Sequence, residues 1–407
     1  MPRSLRAFGL AALLAATSPS IAQVTGPDQK GTTKSAAGTA TDTSGYTIKT
    51  LKIAPITRYE MPKHDNAGID SAKQFRGSHP LPDSFYYAGE KHLKNIRQLT
   101  FEGENAEAYL SPDDQWISFQ AHGKAEKECD QIFTMKLDGS GVHRISQGIG
   151  RTTCSYYLPG QDKILYASTQ GGDGLCPPEP DMSKGYVWPL YGTYDIYVAD
   201  LKGNPLGRLT SNENCYDAEA TISPKGDKII FTSTRAGNID LYSMNLDGSA
   251  VTRLTDEPGY NGGAFYSLDG SQIVYRASRP QGDELKEFKD LLKQGLVRPH
   301  QLEIMVMDAD GSNKHQVTSL HGASFAPFFH PDGKRIIFSS NFKDPKGRAF
   351  DLFMIHTDGT GLEQITFGGA FNSFPMFTRD GKHLVFCSNR NGSHPHNTNI
   401  FVADWVE

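Results

Sequence analysis

Glu107 in "NAEAY", Asp217 and Glu219 in "YDAEA", and Arg151 in "GIGRTTC" set three carboxylates and a guanidinium into short runs of small or apolar residues. Carboxylates that share one space can hold a cation, grip a basic group of a partner, or exchange protons with a substrate. Calcium asks for about six or more oxygens, so these acids would need waters and carbonyls to complete its shell. A divalent cation is the one cofactor such a set calls for, and a water or simple ion filling the space is the plainer alternative. A second group is aromatic. Tyr186, Trp188, Tyr191 and Tyr194 stand among glycines and prolines in "GGDGLCPPEPDMSKGYVWPLYGTY", and Tyr216 directly precedes Asp217. Rings on a loop bury much area and keep a polar handle, which suits recognition; a lid packed on itself is the equal alternative.

The cysteines fall among the same segments. Cys129, Cys154, Cys176 and Cys215 are close enough in order to suggest the bridges Cys129–Cys154 and Cys176–Cys215, leaving Cys387 free in an apolar run. An odd total leaves at least one thiol unpaired in the monomer. Signals for catalysis are sparse. There is no Gly-x-Ser-x-Gly elbow, His-Glu-x-x-His pair or phosphate-cradling glycine loop, the signatures that would announce a nucleophile, a zinc site or a nucleotide. The run "HPH", His394 to His396, has metal-binding side chains, yet histidines in an exposed loop are more often solvated than ligated.

Positioning these residues falls to an internal repeat. In "DAEATISPKGDKIIFTSTRAGNIDLYSMNLDGSAVTRLT" four apolar runs alternate with turn residues. Period-two alternation marks the first run as a strand, and the nearly continuous "KIIFTST" reads as a buried one. Asp-Gly between alternating runs is a strong hairpin signal. Six such units follow from the second strands, at Trp116, Ile164, Ile229, Ile273, Ile336 and Leu384. The last unit ends at its third strand, "NIFVADWVE", and the missing piece occurs ahead of the first unit as "NIRQLT", Asn95 to Thr100. The expected fold is therefore all-β: a six-bladed β-propeller closed by an N-terminal strand that completes the last blade, leaving only short, protected edges.

The recurring order of "SPKG" or "HPDG", then Ile-x-Phe-x-Ser, Asp-(Ile/Leu)-(Tyr/Phe), "DGS" and "LT" resembles the propeller repeats of the TolB-like family, across residues 95–407. That resemblance implies a periplasmic protein of the cell envelope that works by binding other proteins. The TolB family also carries an α/β domain before its propeller, for which residues 23–94 are too few and too irregular.

Recurrence separates structural from functional residues. Asp195, Asp240 and Asp351, with Asp130 as their counterpart, open third strands and read as turn-holding carboxylates. Ser233/Arg235, Ser278/Arg279 and Ser388/Arg390 read as packing between blades. Glu107 and Glu219 break the pattern, with Asp217 beside them, where the other inner strands carry Cys154, Gly263, Pro327 and Pro375. Both long insertions, 171–194 and 280–301, join second to third strands and so share one face, here the upper. The second reads as an amphipathic helix with Asp283 as N-cap, Gly295 as its stop, and Leu285, Phe288, Leu291 and Leu292 on one side.

Arg3 and Arg6 before the apolar run Ala7–Ala16, then "SIA" at 20–22, read as a signal peptide over 1–22. Residues 23–50 read as a flexible linker, since from Gln23 to about Gly45 there are almost no large apolar side chains. Residues 51–94 read as an extended segment packed on the propeller. A net charge of -5 and pI near 6.2 give no field for nucleic acid, and no run is long enough to span a bilayer. The expectation is a monomeric periplasmic or secreted binding module, with a protein or peptide of the cell envelope as partner. The candidate binding residues are Glu107, Arg151, Tyr186, Trp188, Tyr191, Tyr216, Asp217 and Glu219. The alternative is a channel-mouth enzyme, a metal-assisted lyase or hydrolase of oligosaccharide or peptide, using Glu107, Glu219 and Arg151.

Overall fold

A computed structural model describes residues 74–407 except 123–128, 184, 346, 348, 369–370 and 395–396. The expected signal peptide and linker, most of the extended segment, and two residues of "HPH" lie outside the described residues.

Each repeat forms an antiparallel four-stranded sheet, and six sheets make the propeller. Its inner strands are Glu104–Leu110, Thr152–Tyr157, Asp217–Ile222, Asn261–Tyr266, Ser324–Phe329 and Asn372–Phe377. The sixth sheet takes its fourth strand from the other end of the chain: Leu93–Gln98 pairs with Asn399–Trp405, and His79–Pro80 adds a fifth strand outside it. The "DGS" turns follow Asx chemistry. In one of them Asp247 Oδ1 accepts bonds from the Ser249 N–H (3.0 Å) and hydroxyl (2.6 Å). Gly248 holds φ +82°, and a Cβ there would stand 2.8 Å from the Leu209 carbonyl oxygen of the preceding blade.

The signature "IxF" has a packing cause. Its third residue is Phe119, Tyr166, Phe231, Tyr275, Phe338 or Phe386, each fully buried. Opposite these on the third strands stand Phe133, Tyr197, Tyr242, Met305, Phe353 and Phe401. Cross-strand rings such as Phe386 and Phe401, with centroids 5.6 Å apart, supply both area and register.

The "LT" signature is a clasp. The Thr210 hydroxyl accepts from the Ile196 N–H (3.0 Å) and donates to Asp195 (2.9 Å). Thr255 does the same with Leu241 and Asp240, and Thr366 with Leu352 and Asp351. Thr100 performs this office for the sixth blade, accepting from Ile400 N (2.9 Å) and facing Asn399. The borrowed strand therefore brings its own fastening. In the first blade Ser146 takes the threonine's place, accepting from the Ile132 N–H (2.9 Å) and donating to Gln131 (2.6 Å), which stands where the second blade has Asp195. Asp130, expected to be the counterpart of Asp195, lies one residue earlier, because the unit aligns on the residue that pairs with Ala121.

The serine–arginine pairs stay largely on their own blades rather than packing between them. Arg235 donates to Ser233 and Asp217 and lies over Phe231 and Tyr242. Arg279 donates to the carbonyls of Ser278 and Tyr260. Arg390 donates to Ser388 and Asn372 and makes a buried ion pair with Glu90 at 2.8 Å, which fastens the segment before the ring to the sixth blade. Truncating one partner of such a pair would strand a buried charge.

The insertions meet each other. The helix Gly282–Leu292 is entered from Gln281, not Asp283, and Gly295 turns the chain beyond it. Leu285, Phe288 and Leu292 pack with Leu190, Tyr194 and Val297. Trp188–Pro189 of the first insertion pairs antiparallel with Leu296–Val297 of the second, and Leu190 N donates to the Gly295 carbonyl at 2.6 Å. Together they make a roof on the upper face.

Candidate functional site at the channel mouth

All six inner strands slip their ladder at the same place. One residue of each slip is left-handed: Glu107 (φ 54°), Cys154 (48°), Glu219 (56°), Gly263 (59°), Ala326 (50°) and Phe374 (52°). A bulge of this kind re-aims a side chain. These residues converge on one cavity of about 20 Å³, lined also by Tyr109, Phe265 and Arg276. That volume is room enough for a water. The positions expected at Pro327 and Pro375 are Ala326 and Phe374, because the bulge shifts the equivalence by one.

Glu219 is heavily bonded. Its carboxylate accepts from Thr232 Oγ1 (2.7 Å), Gly263 N (3.0 Å) and Tyr260 OH (3.2 Å), and pairs with Arg276. The guanidinium, 8% exposed, donates to Tyr260 OH at 2.6 Å. It lies 5.2 Å from the Trp188 ring centre and 5.0 Å from that of Tyr260. Burial pulls the Arg276 guanidinium down, but Glu219 and Tyr260 outweigh it and hold it above its ordinary range. Gly263 makes this possible, since a Cβ there would collide with Arg276 Nη1.

Glu107 is held differently. Its Oε2 accepts from the Cys154 N–H at 2.9 Å, and among the described residues no ion pair to it is found. Burial pushes its carboxyl up; the Cys154 hydrogen bond opposes this and Glu219 adds to it. Burial, then Glu107 and Glu219, push the Cys154 thiol well up, so this sulfur is a protonated thiol rather than a nucleophile.

The expected site residues divide. Glu107 and Glu219 meet in the cavity. Asp217 does not: it occupies a joint between blades, with its N–H on the Tyr194 carbonyl (3.1 Å) and its carboxylate on Arg235 (3.0 Å). Asn105, Asn261 and Asn372 hold the same joint elsewhere by donating to carbonyls of the preceding blade. Arg151 belongs to another cluster, pairing with Glu179 and lying 3.9 Å from Asp130, which also faces His122. Tyr216 is buried edge-on against Tyr194, with ring centres 5.5 Å apart. Tyr191 turns its hydroxyl to the Pro178 carbonyl at 2.7 Å, while Tyr186 is 54% exposed and accepts from Trp188 Nε1 at 3.1 Å. The disulfide is Cys129–Cys176, neither expected pair, because the insertion folds back over the first blade. Cys154 faces the cavity instead, Cys215 is half-buried, and Cys387 is free and buried.

Arg276 and Tyr260 were not among the expected residues, although the repeat marks the first. At its place in the second strand the other blades carry Gln120, Ala167, Thr232, Ser339 and Cys387. Arg276 is the one charged side chain in that set.

Comparison with known proteins agrees with the architecture. A model of the TolB beta propeller domain matches residues 180–295 and 296–403. A TolB homolog of Chlorobium luteolum is 30% identical over 196 residues, 41% of this chain and 45% of that protein. An uncharacterized peptidase of Bacillus subtilis is 27% identical over 183 residues, 40% of this chain and 28% of that protein. The chain spans less than half the length of these curated relatives. Among solved structures, a putative TolB from Agrobacterium tumefaciens is similar with TM-score 0.48 and 18% identity, over 76% of this chain and 92% of that one. Since the family match takes in more than half of the residues, and its repeat is the blade found around the whole ring, the chain belongs to the TolB beta propeller domain family.

Proposed function

We propose that this chain is an exported, periplasmic binding module that captures a protein or peptide of the cell envelope on its roofed upper face, without catalysing a reaction. The observation that carries this reading is the roof itself. A loop rich in aromatic residues is bridged to the first blade, paired with the second insertion and left with Tyr186, Leu175 and Met182 exposed. Rigid aromatic anchors on a braced loop lose little freedom on binding, which favours affinity. The expected signal peptide supports export, as does the disulfide, since such bridges persist in oxidising compartments.

A second reading has one observation behind it. Glu107, a carboxyl pushed up by burial beside the Arg276–Glu219 pair, has the character of an acid–base group. On that reading the channel mouth is a lyase or hydrolase of oligosaccharide or peptide, with a divalent cation as its cofactor.

The deciding experiment immobilises the protein, exposes it to envelope extract, and repeats this with Tyr186→Ala and with a form lacking 174–191. Metal-independent capture that these changes abolish is the expected result. Retention of a stoichiometric divalent metal, lost in Glu219→Ala and accompanied by turnover of polysaccharides or peptides, would replace the module by the enzyme.

A further inference from the structure

The six stations around the channel mouth are electrically uneven. On one side Glu219 of the third blade meets the guanidinium of Arg276, which reaches it through the space that Gly263 leaves open. That cation sits on a carboxylate and lies 5.2 and 5.0 Å from the ring centres of Trp188 and Tyr260. On the other side the first blade presents a second carboxylate, Glu107, and among the described residues no cation pairs with it. Its Oε2 accepts from the Cys154 N–H (2.9 Å) and the Thr153 hydroxyl (3.3 Å), both neutral donors. Where the fourth blade has Arg276 in its second strand, the sixth, first and second blades around Glu107 have Cys387, Gln120 and Ala167. The cavity is thus lined by two acids and one base. Glu107 and Phe374, which both line it, are half-buried rather than buried. Tyr109 and Phe265, with ring centres 5.4 Å apart, lie two residues further along their strands and make its floor.

We infer that Glu107 receives the ammonium of a lysine side chain presented by the partner, with the stem of that lysine laid against Phe374. The inference rests on reading the upper face as the binding surface and names the chemistry of what binds there. Arg276 supplies the pattern within the same cavity: a cation on a carboxylate, with rings around it. Burial pushes the Glu107 carboxyl up and Glu219 adds to it, as befits an acid without a counter-ion. An ammonium is about the size of a water, for which the cavity has room. Its three N–H donors give Glu107 a charged partner, and a hydrogen bond between charged groups is roughly twice as strong as a neutral one. The apolar walls then choose among cations. Lysine carries a methylene stem that lies along rings while its charge stays at the tip, whereas a peptide's α-amine brings no stem. With the lysine in place the cavity holds two acids and two bases, and the Arg276–Glu219 pair is left whole.

The whole protein is titrated with Nα-acetyl-lysine methylamide, and binding is read by saturation-transfer NMR. Two analogues run beside it. Nα-acetyl-norleucine methylamide keeps the stem and lacks the ammonium, and leucine methylamide carries its charge on an α-amine. The lysine derivative should bind about tenfold more tightly than either, the least that a hydrogen bond to a charged group commonly gives. In Glu107→Gln, which keeps the shape and removes the charge, that advantage should vanish, with thermal melting run alongside to show a folded variant. Equal affinity of the parent for all three ligands would overturn the inference without recourse to any variant, and so would an unchanged preference in Glu107→Gln. Preference for leucine methylamide would put a peptide N-terminus in place of the lysine. Displacement of the lysine derivative by equimolar manganese or calcium would give Glu107 to a metal instead. Capture from envelope extract that requires residues 174–191 and is indifferent to Glu107→Gln would sink this inference and leave the binding module standing.

Discussion

Asp195 shows how one side chain serves a blade and records its own surroundings. It receives the Thr210 hydroxyl and pairs with Arg208 while lying almost wholly out of water. Burial lifts its carboxyl to about 6, against the opposing pull of Arg208. The folded chain therefore binds this proton more readily than the unfolded chain, whose carboxyl titrates near 4. A raised carboxyl contributes stability that is full below the unfolded value and is lost as pH rises through the folded one. Asp195→Asn cannot ionise, so the parent should gain on it in melting temperature as pH falls from about 7 to about 4. A gap that shrinks on acidification would mean that the Arg208 pair, not burial, governs this carboxyl.

At the scale of the element, the blade rests on an aromatic pair between its second and third strands. Phe338 is fully buried and faces Phe353 across the ladder, with ring centres 6.1 Å apart. Phe338→Ala should cost about 3–5 kcal/mol in urea unfolding, the range for deleting a buried ring. A loss well below that would show that the blade collapses into the space. The Asp-Gly turns, the recurring strand signatures and the borrowed closing strand were legible in the sequence because each recurs, whereas the carboxylates Asp195, Asp240 and Asp351, read as holding turns, instead accept from the "LT" threonines. The site was legible only in part. Glu107 and Glu219 stood out as carboxylates among small residues, whereas Asp217 looked alike and proved to be a joint, since strand alternation alone does not reveal the bulge that turns two neighbours to different ends. The disulfide eluded spacing because the insertion doubles back over another blade. Arg276 escaped notice within an apolar run, although comparison of equivalent second-strand positions would have singled it out.

For the whole molecule, the decisive feature is closure. Leu93–Gln98 covers the outer side of Asn399–Trp405, and Thr100 and the Glu90–Arg390 pair hold it there. A chain begun at Phe101 would present Asn399–Trp405, with Ile400, Phe401 and Val402 buried in the closed ring, as the exposed edge of a sheet. Such an edge recruits other edges. The shortened chain should therefore elute as dimers or larger species in size-exclusion chromatography with light scattering, at concentrations where the parent is a single smaller species. Elution as one compact species would show that the ring survives without its seam.

The six left-handed stations around the channel carry a consequence for how this chain can change. Because the backbone there is the same in every blade, a new side chain at one station alters the lining without disturbing strand pairing, save at Gly263, where a Cβ would collide with the Arg276 guanidinium. Short or unbranched residues fit such a station more readily than β-branched ones, which strain at positive φ. The channel thus behaves like a set of sockets on a standard plate: Glu, Cys, Gly, Ala and Phe are already installed. Its chemistry could be rewritten one fitting at a time while the plate stays as it is.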